Sequence, residues 1–395
     1  MKLVKSWRWF GEKDPVQLSW LKEQGIEEVV TALHHIPNGE IWPVEEIQKV
    51  KNKIEKAGLK WTVVESLPVT EAIKTASELR ERHIQNYKIS LKNLAACGIK
   101  TVVYNFMPVI DWIRTDLNYQ IPGKGESMLF DYPTFTAFDV FILKRPEAEK
   151  DYSEEQMKVA KKVFNNMSEE DAEKLAHNII VVTQGFIDGT VDASIEDYKN
   201  AFLALLKTYE NIDDHQLREN LSCFINKVIP VAEEVGINLA IHPDDPPFPV
   251  LGLPRIFSTI KDLIWLEKTN PSKRNGIAFC VGSFSARKDN DLEQMAQKFA
   301  HRIHFAHLRN TEVLDDGSFY ESGHIEGRIN MQALVKILQT EMQKRHQLGL
   351  RDFRIPMRPD HGIKTGEDYK IQTNPGYPVY GRLKGLREIE SLENL

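Results

Sequence analysis

Four short stretches of the chain end an apolar run on a side chain that can bind a metal. AIHPDD closes on His242, AFCVGS on Cys280, FAHLRN on His307 and RPDHG on Asp360. Each stretch reads as a β-strand, and side chains two apart in a strand share a face. Ala240 therefore shares a face with His242, Ala278 with Cys280, Phe305 with His307 and Arg358 with Asp360. If those faces turn inward, two imidazoles, a thiolate and a carboxylate converge on one rim, and their two negative charges neutralise a divalent cation. Zinc accepts such a set as it stands. A substrate that also chelates would expand the coordination and favour Mn2+ or Fe2+.

The neighbours of these four suggest what the metal acts on. Arg309 lies two residues beyond His307 and Arg358 two before Asp360, so alternation places both near the same rim. Arginine suits bidentate contact with a substrate carboxylate; a rim salt bridge with Asp244 or Asp245 is the equal alternative. His361 directly follows Asp360 and would sit beside the metal but point away from it, as a general acid or base does. Tyr377, in NPGYPVYG, stands on a Gly/Pro-rich segment that could fold over the site. His34, in HHIPNGE, and Asn105 end other strands and could bind substrate hydroxyls, as could Glu65. Asp244 and Asp245 are placed to orient neighbouring groups, and the prolines around them stiffen the corner. Cys97, Cys223, His301 and His304 read as ordinary packing or hydrogen-bonded residues. PGKGES at 122–127 lacks the first glycine of a phosphate-binding loop and reads as an exposed turn.

Such convergence needs a scaffold that aligns strand ends. One pattern recurs: EQGIEEVV, KAGLKWTVV, ACGIKTVVY and EVGINLAIH. In each, a glycine (Gly25, Gly58, Gly98, Gly236) suits the left-handed position just past a helix, and a β-branched strand follows. Reading outward gives eight strands at 6–10, 28–33, 61–65, 101–106, 238–242, 277–281, 303–308 and 355–358, separated by helical patterns. Alternating strands and helices indicate parallel βαβ units, and eight of them match a (β/α)8 TIM barrel of the α/β class. A doubly wound open sheet competes, but no GxGxxG follows the first strand. The motif glycines are 33, 40 and then 138 residues apart. One unit therefore carries an insertion, expected over 107–215 after the fourth strand and mostly helical, with SEEQ at 153–156 and SEED at 168–171 as helix starts. It reads as a lid or as an oligomer contact.

Composition narrows the class further. Of 395 residues, 42% are hydrophobic and 27% charged, with a formal charge of −6, as in an ordinary globular domain with no bulk attraction for nucleic acid or membrane. No apolar run reaches the ~18 residues of a membrane span. The first residues, MKLVKSWRWFGEKDP, lack the apolar core of a signal peptide, and three scattered cysteines do not form a disulfide framework. A cytoplasmic chain with free thiols is expected.

Several long, irregular blocks carry a resemblance nearly end to end: WRWFG, VVTALHHIPNGEIW, VVESLPV, YNFMPVIDWIRTDL, ILKRP, PVAEEVGINLAIHPDDPPFPVLGLPRI, HLRN, RPDHG and NPGYPVYGRLKGL. With them the chain resembles mannonate dehydratases of the metal-dependent, xylose-isomerase-like barrel type. The resemblance implies removal of water from D-mannonate to give 2-dehydro-3-deoxy-D-gluconate, with Mn2+ or Fe2+, in hexuronate breakdown. It places the family's metal ligands on His242, Cys280, His307 and Asp360, its catalytic histidine on His361 and a loop tyrosine on Tyr377. A homo-oligomer is expected for a barrel carrying such an insertion. A sugar isomerase or epimerase on the same barrel is the alternative within enzymes, and an acid-sugar sensor without turnover the alternative outside them.

Overall fold

A computed structural model describes residues 1–184 and 195–394. Eight parallel strands close a barrel: β1 (Val4–Arg8), β2 (Glu28–Thr31), β3 (Lys60–Glu65) and β4 (Thr101–Tyr104), then β7 (Asn238–Ile241), β8 (Asn275–Cys280), β9 (Ile303–His307) and β12 (Pro356–Arg358). The barrel that the strand and helix alternation predicts is the one observed. Helices such as Val44–Lys56, Arg80–Ala96, Asp214–Val235 and Met331–Gln347 run back along its outside. The four repeat glycines have φ between +74° and +80°, where a Cβ would clash with the backbone, so each can end its helix and turn into the next strand.

Alternation then sorts the strands' side chains. Val30, Val63, Val103, Ala240, Ala278 and Phe305, one from each of six neighbouring strands, make a buried apolar layer of their own. Their neighbours in sequence, such as Val29, Val64, Val102 and Leu239, face the helices in the main core. Two residues further along the inward face lie Glu65, Asn105, His242, Cys280 and His307. The apolar layer is thus the floor on which these polar groups stand.

The strands stop slightly sooner than the sequence suggests. β4 ends at Tyr104 and β7 at Ile241, so Asn105 and His242 lie just past the ladder, although the His242 amide still donates to Tyr104 O at 2.9 Å. Between β4 and Asp214–Val235 the chain forms helices Tyr132–Ala137, Glu154–Asn165, Glu169–His177 and Tyr198–Lys207. The first and last residues of SEEQ, Ser153 and Gln156, cap the second of these with a full capping box, while SEED makes the weaker Ser168–Asp171 cap. Residues 185–194 of the expected insertion lie outside the described residues. The helical reading omits one feature: the stretch opens on a hairpin, β5 (Asp116–Ile121) and β6 (Gly125–Phe130), with PGKGES at its turn.

That hairpin joins a second one, β10 (Asn310–Val313) and β11 (Phe319–Ser322), which follows β9. They form an antiparallel sheet in the order β10-β11-β6-β5. Phe319 pairs with Phe130 and their rings stack at 5.3 Å, while Phe135 and Phe248 pack on the same Phe130 ring. This aromatic knot fastens the small sheet beside the barrel mouth. Cys97, Cys223 and Cys280 are free thiols. No helix among the described residues is long and apolar enough to cross a membrane.

Candidate active site

The side chains of His242, Cys280 and His307 converge, their ligand atoms all within 4.8 Å of one another. Cys280 and His307 are paired across β8 and β9, and His307 in turn pairs with Arg358 of β12. The outer nitrogen of each histidine is committed. His242 Nδ1 lies 2.8 Å from Pro243 O, which only accepts, so this nitrogen carries the proton and Nε2 the lone pair. His307 Nε2 lies 3.1 Å from Glu65 Oε1. Arg358 Nε donates to that same nitrogen at 3.1 Å and to Glu65 Oε2 at 3.0 Å. His307 Nδ1 is the nitrogen turned toward His242.

His242 Nε2 and His307 Nδ1 lie 3.3 Å apart. Two imidazole nitrogens and a thiol this close together can share one cation, and a carboxylate at the far nitrogen is how metal-ligating imidazoles are oriented. The donor set fits a divalent metal. Asp360 stands at the edge of this group, Oδ2 3.6 Å from His307 Nδ1 and 3.8 Å from Cys280 Sγ. Its backbone is left-handed, φ +63°, and its carboxylate accepts from Arg309 Nε at 2.6 Å and from Arg358 Nη1.

Arg309 is fully engaged. Nε goes to Asp360, Nη1 to both oxygens of Glu321 at 2.7 Å, and Nη2 to Asp245 at 2.6 Å and Ser283 at 3.0 Å. Five N–H groups meet five protein acceptors, which is the rim ion pair with Asp245 rather than a hand extended to substrate. Arg358 gives Nε and Nη2 to Glu65 and one Nη1 hydrogen to Asp360, and it lines the inner chamber. Asp245 also takes Arg114 at 2.7 and 3.1 Å. Burial opposes ionisation of Asp245, but Arg114 and Arg309 outweigh it and hold the carboxyl at about 2. Asp244 instead ties the proline-rich corner down, accepting from the Phe257 amide and from Ser258 Oγ.

Opposite the ligands, His361 lies between Trp112, 5.6 Å away, and the edge of Tyr377 at 5.1 Å. Burial pushes the Tyr377 phenol up to about 12, so it stays protonated at neutral pH. His34 Nε2 accepts from Arg8 Nη2 at 3.3 Å. Burial first, and then Arg8, push it down to about 3, so it is neutral. Asn105 donates to Asp111. All of these line a chamber of about 60 Å³ that opens past Phe10, His34 and Tyr377 into a vestibule of about 500 Å³. His304, out of phase with His307, bonds to Lys273 O, and His301 meets Glu267, both away from the chamber.

The family model for D-mannonate dehydratase (UxuA) matches residues 1–395. The chain belongs to the D-mannonate dehydratase family. A mannonate dehydratase of Chromohalobacter salexigens is 46% identical over 390 residues, 98% of this chain and 97% of its own. One of Marinomonas sp. (strain MWYL1) is 46% identical over 389 residues, with the same coverage. The crystal structure of mannonate dehydratase from Streptococcus suis serotype 2 matches with a TM-score of 0.75 at 32% identity, covering 99% of this chain and 93% of that one. As a member of the D-mannonate dehydratase family the chain is a hydro-lyase, and its substrate is a small sugar acid.

Two buried charged residues on this side of the chamber escape a reading by barrel strands. Glu321, on β11, accepts from His361 Nδ1 at 3.1 Å. Arg114, fully buried with its guanidinium over Phe319, donates to Glu321 at 2.6 Å. The only sequence signal for either is a charged residue inside an apolar run, Arg114 in VIDWIRT and Glu321 in SFYES.

Proposed function

We propose that the chain dehydrates D-mannonate at the barrel mouth, with His242, Cys280, His307 and Asp360 holding Mn2+ or Fe2+ and with His361 and Tyr377 moving the protons. The observation that carries this reading is the convergence of His242, Cys280 and His307, their ligand atoms within 4.8 Å of one another and the two imidazole nitrogens 3.3 Å apart. A divalent cation bound there supplies Lewis-acid stabilisation to charge developing at the carboxylate end of the substrate.

The chain's own groups account for the rest. Arg358, with Arg8 on the same wall, receives the substrate carboxylate. His361 takes the C2 proton. Tyr377 gives its phenolic proton to the departing C3 hydroxyl, which leaves as water. The resulting enol becomes a ketone as its hydroxyl proton returns to Tyr377 and C3 takes the proton held by His361. Both groups are thereby restored, and 2-dehydro-3-deoxy-D-gluconate is released. His34 and Asn105 meet the remaining hydroxyls. Hexuronate breakdown in the cytoplasm, by a homo-oligomer, completes the reading.

The test is an anaerobic assay of D-mannonate with Mn2+ or Fe2+ against a chelated control, detecting the keto-deoxy acid itself. Product that appears only with metal is the expected result. Bound metal without product, or an isomerised acid in its place, removes the dehydration step from this site.

A further inference from the structure

The acid/base pair leaves open why His361 should present a base rather than a donor to the chamber. We propose that Glu321 is a positioning residue for the reaction, holding His361 in the one tautomer whose Nε2 carries the lone pair. This rests on the role given to His361 above.

The geometry is closed on every side. Glu321 is 2% exposed. Arg309 Nη1 lies 2.7 Å from both of its oxygens and Arg114 Nη2 2.6 Å from Oε1. Burial alone would raise its carboxyl, but Arg309 and Arg114, with His361, hold it well below the usual carboxylate range. An ionised carboxylate only accepts, so the hydrogen in the 3.1 Å contact belongs to His361 Nδ1. The neutral ring then has its lone pair on Nε2, 4.0 Å from Asp360 Oδ1 at the chamber wall. Trp112 and Tyr377 pack on either side of the ring and limit its rotation. An orienting acid behind an imidazole base is the general device of acyl-transfer triads, reached here on a different scaffold.

The small sheet explains how Glu321 comes to be there. On β11, Phe319 and Glu321 face the mouth while Tyr320 is partly exposed. Pairing with β6 and the bond from Ser127 Oγ to Glu321 O at 2.6 Å fix its height. Arg114 enters from the residues just before β5. The residues before the first hairpin and a strand of the second therefore meet at Glu321.

A plain counter-ion for two arginines would look similar, and a double-mutant cycle separates the two roles. Glu321→Asp keeps a charge for both arginines but withdraws the carboxylate by one methylene. Glu321→Gln keeps the length and loses the charge. In the metal-loaded full chain, each is combined with His361→Gln, and kcat, KM and bound metal are measured.

Glu321→Asp, which keeps the charge, is expected to lose roughly 10- to 100-fold in kcat, with KM and metal content unchanged, and should not slow the His361→Gln enzyme further. Glu321→Gln leaves Arg114 and Arg309 short of a partner and is expected to lower the melting temperature as well as kcat. If Glu321→Asp turns over like the parent, or if its loss is repeated in full in the His361→Gln background, Glu321 does not act through His361. If His361→Gln alone keeps parental turnover, the acid/base role of His361 falls first and takes this proposal with it.

Discussion

On one side of the barrel mouth, His242, Cys280 and His307 stand at the ends of three adjacent parallel strands, each two residues above a small or aromatic floor residue. On the other, His361, Tyr377, Glu321 and Arg114 come from a loop, a second loop, an edge hairpin and the start of the insertion. The first half needs only strand alternation and register. The second is held by ions: Arg114 and Arg309 between Asp245, Glu321 and Asp360, with none of the five more than 5% exposed. Buried charges of this kind are stable only as a complete set, because removing one leaves its partners desolvated and unpaired. The ligand half should therefore fail locally, through its metal, and the ionic half collectively.

The largest effect separates the halves directly. His242→Ala should abolish metal binding and lower turnover by about three orders of magnitude or more, the scale of lost Lewis-acid stabilisation, while thermal stability of the metal-free chain stays near that of the metal-free parent. Metal analysis with calorimetry checks this, and a metal-free variant that unfolds at room temperature would show that the halves are not independent.

Gly282→Ala probes the ionic half without touching an ion. A Cβ there would lie 2.5 Å from Arg309 Cγ and Nη1, forcing that side chain out of its five bonds. Overpacking alone costs about 1–3 kcal/mol. Turnover should fall together with melting temperature even though no charge has been removed. Retained activity at a lowered melting temperature would mean that Arg309 can move without disturbing Asp360 or Glu321.

Acid should dissolve the ionic half in a defined window. Asp245 is held at about 2 against its ordinary 3.8, and Glu321 and Asp360 are lowered too. A carboxyl depressed on folding stabilises above its unfolded value and loses that contribution as pH falls through the folded one. Stability from these groups should be level above about pH 5 and drain away between about pH 4 and 2. Asp245→Asn should be less stable at neutral pH and have a shallower slope in that window, measured by calorimetry across pH. An unchanged slope would assign the acid loss elsewhere.

The smallest effect is a control outside both halves. Ser153→Ala removes the capping box of Glu154–Asn165 on the insertion surface and should cost about 1 kcal/mol with turnover unchanged. A loss of turnover would connect that helix to the mouth.

The ligand half was readable because its information is local. A strand's alternation is set by four or five consecutive residues, and the four repeat glycines announce where each helix stops and a strand begins. Given a barrel, Ala240–His242, Ala278–Cys280 and Phe305–His307 could only rise from floor to rim together. The sequence also raised Asp245 as a partner for Arg309 but left the alternative of substrate contact standing, since both need the same arginine at the same rim.

Only the tertiary structure decided who meets whom in the ionic half. Arg114 reaches Asp245 across 131 residues of chain and Glu321 across 207, and Phe130 finds Phe319 by strand pairing between two hairpins that share no sequence pattern. A buried charge requires an opposite charge at hydrogen-bond distance, but that requirement does not specify which of many distant carboxylates supplies it. The strand order, the register of the second sheet and the space left by Gly282 specify it. The sequence by itself determined a barrel with a metal-competent rim; folding chose the ions that hold its acid/base side in place.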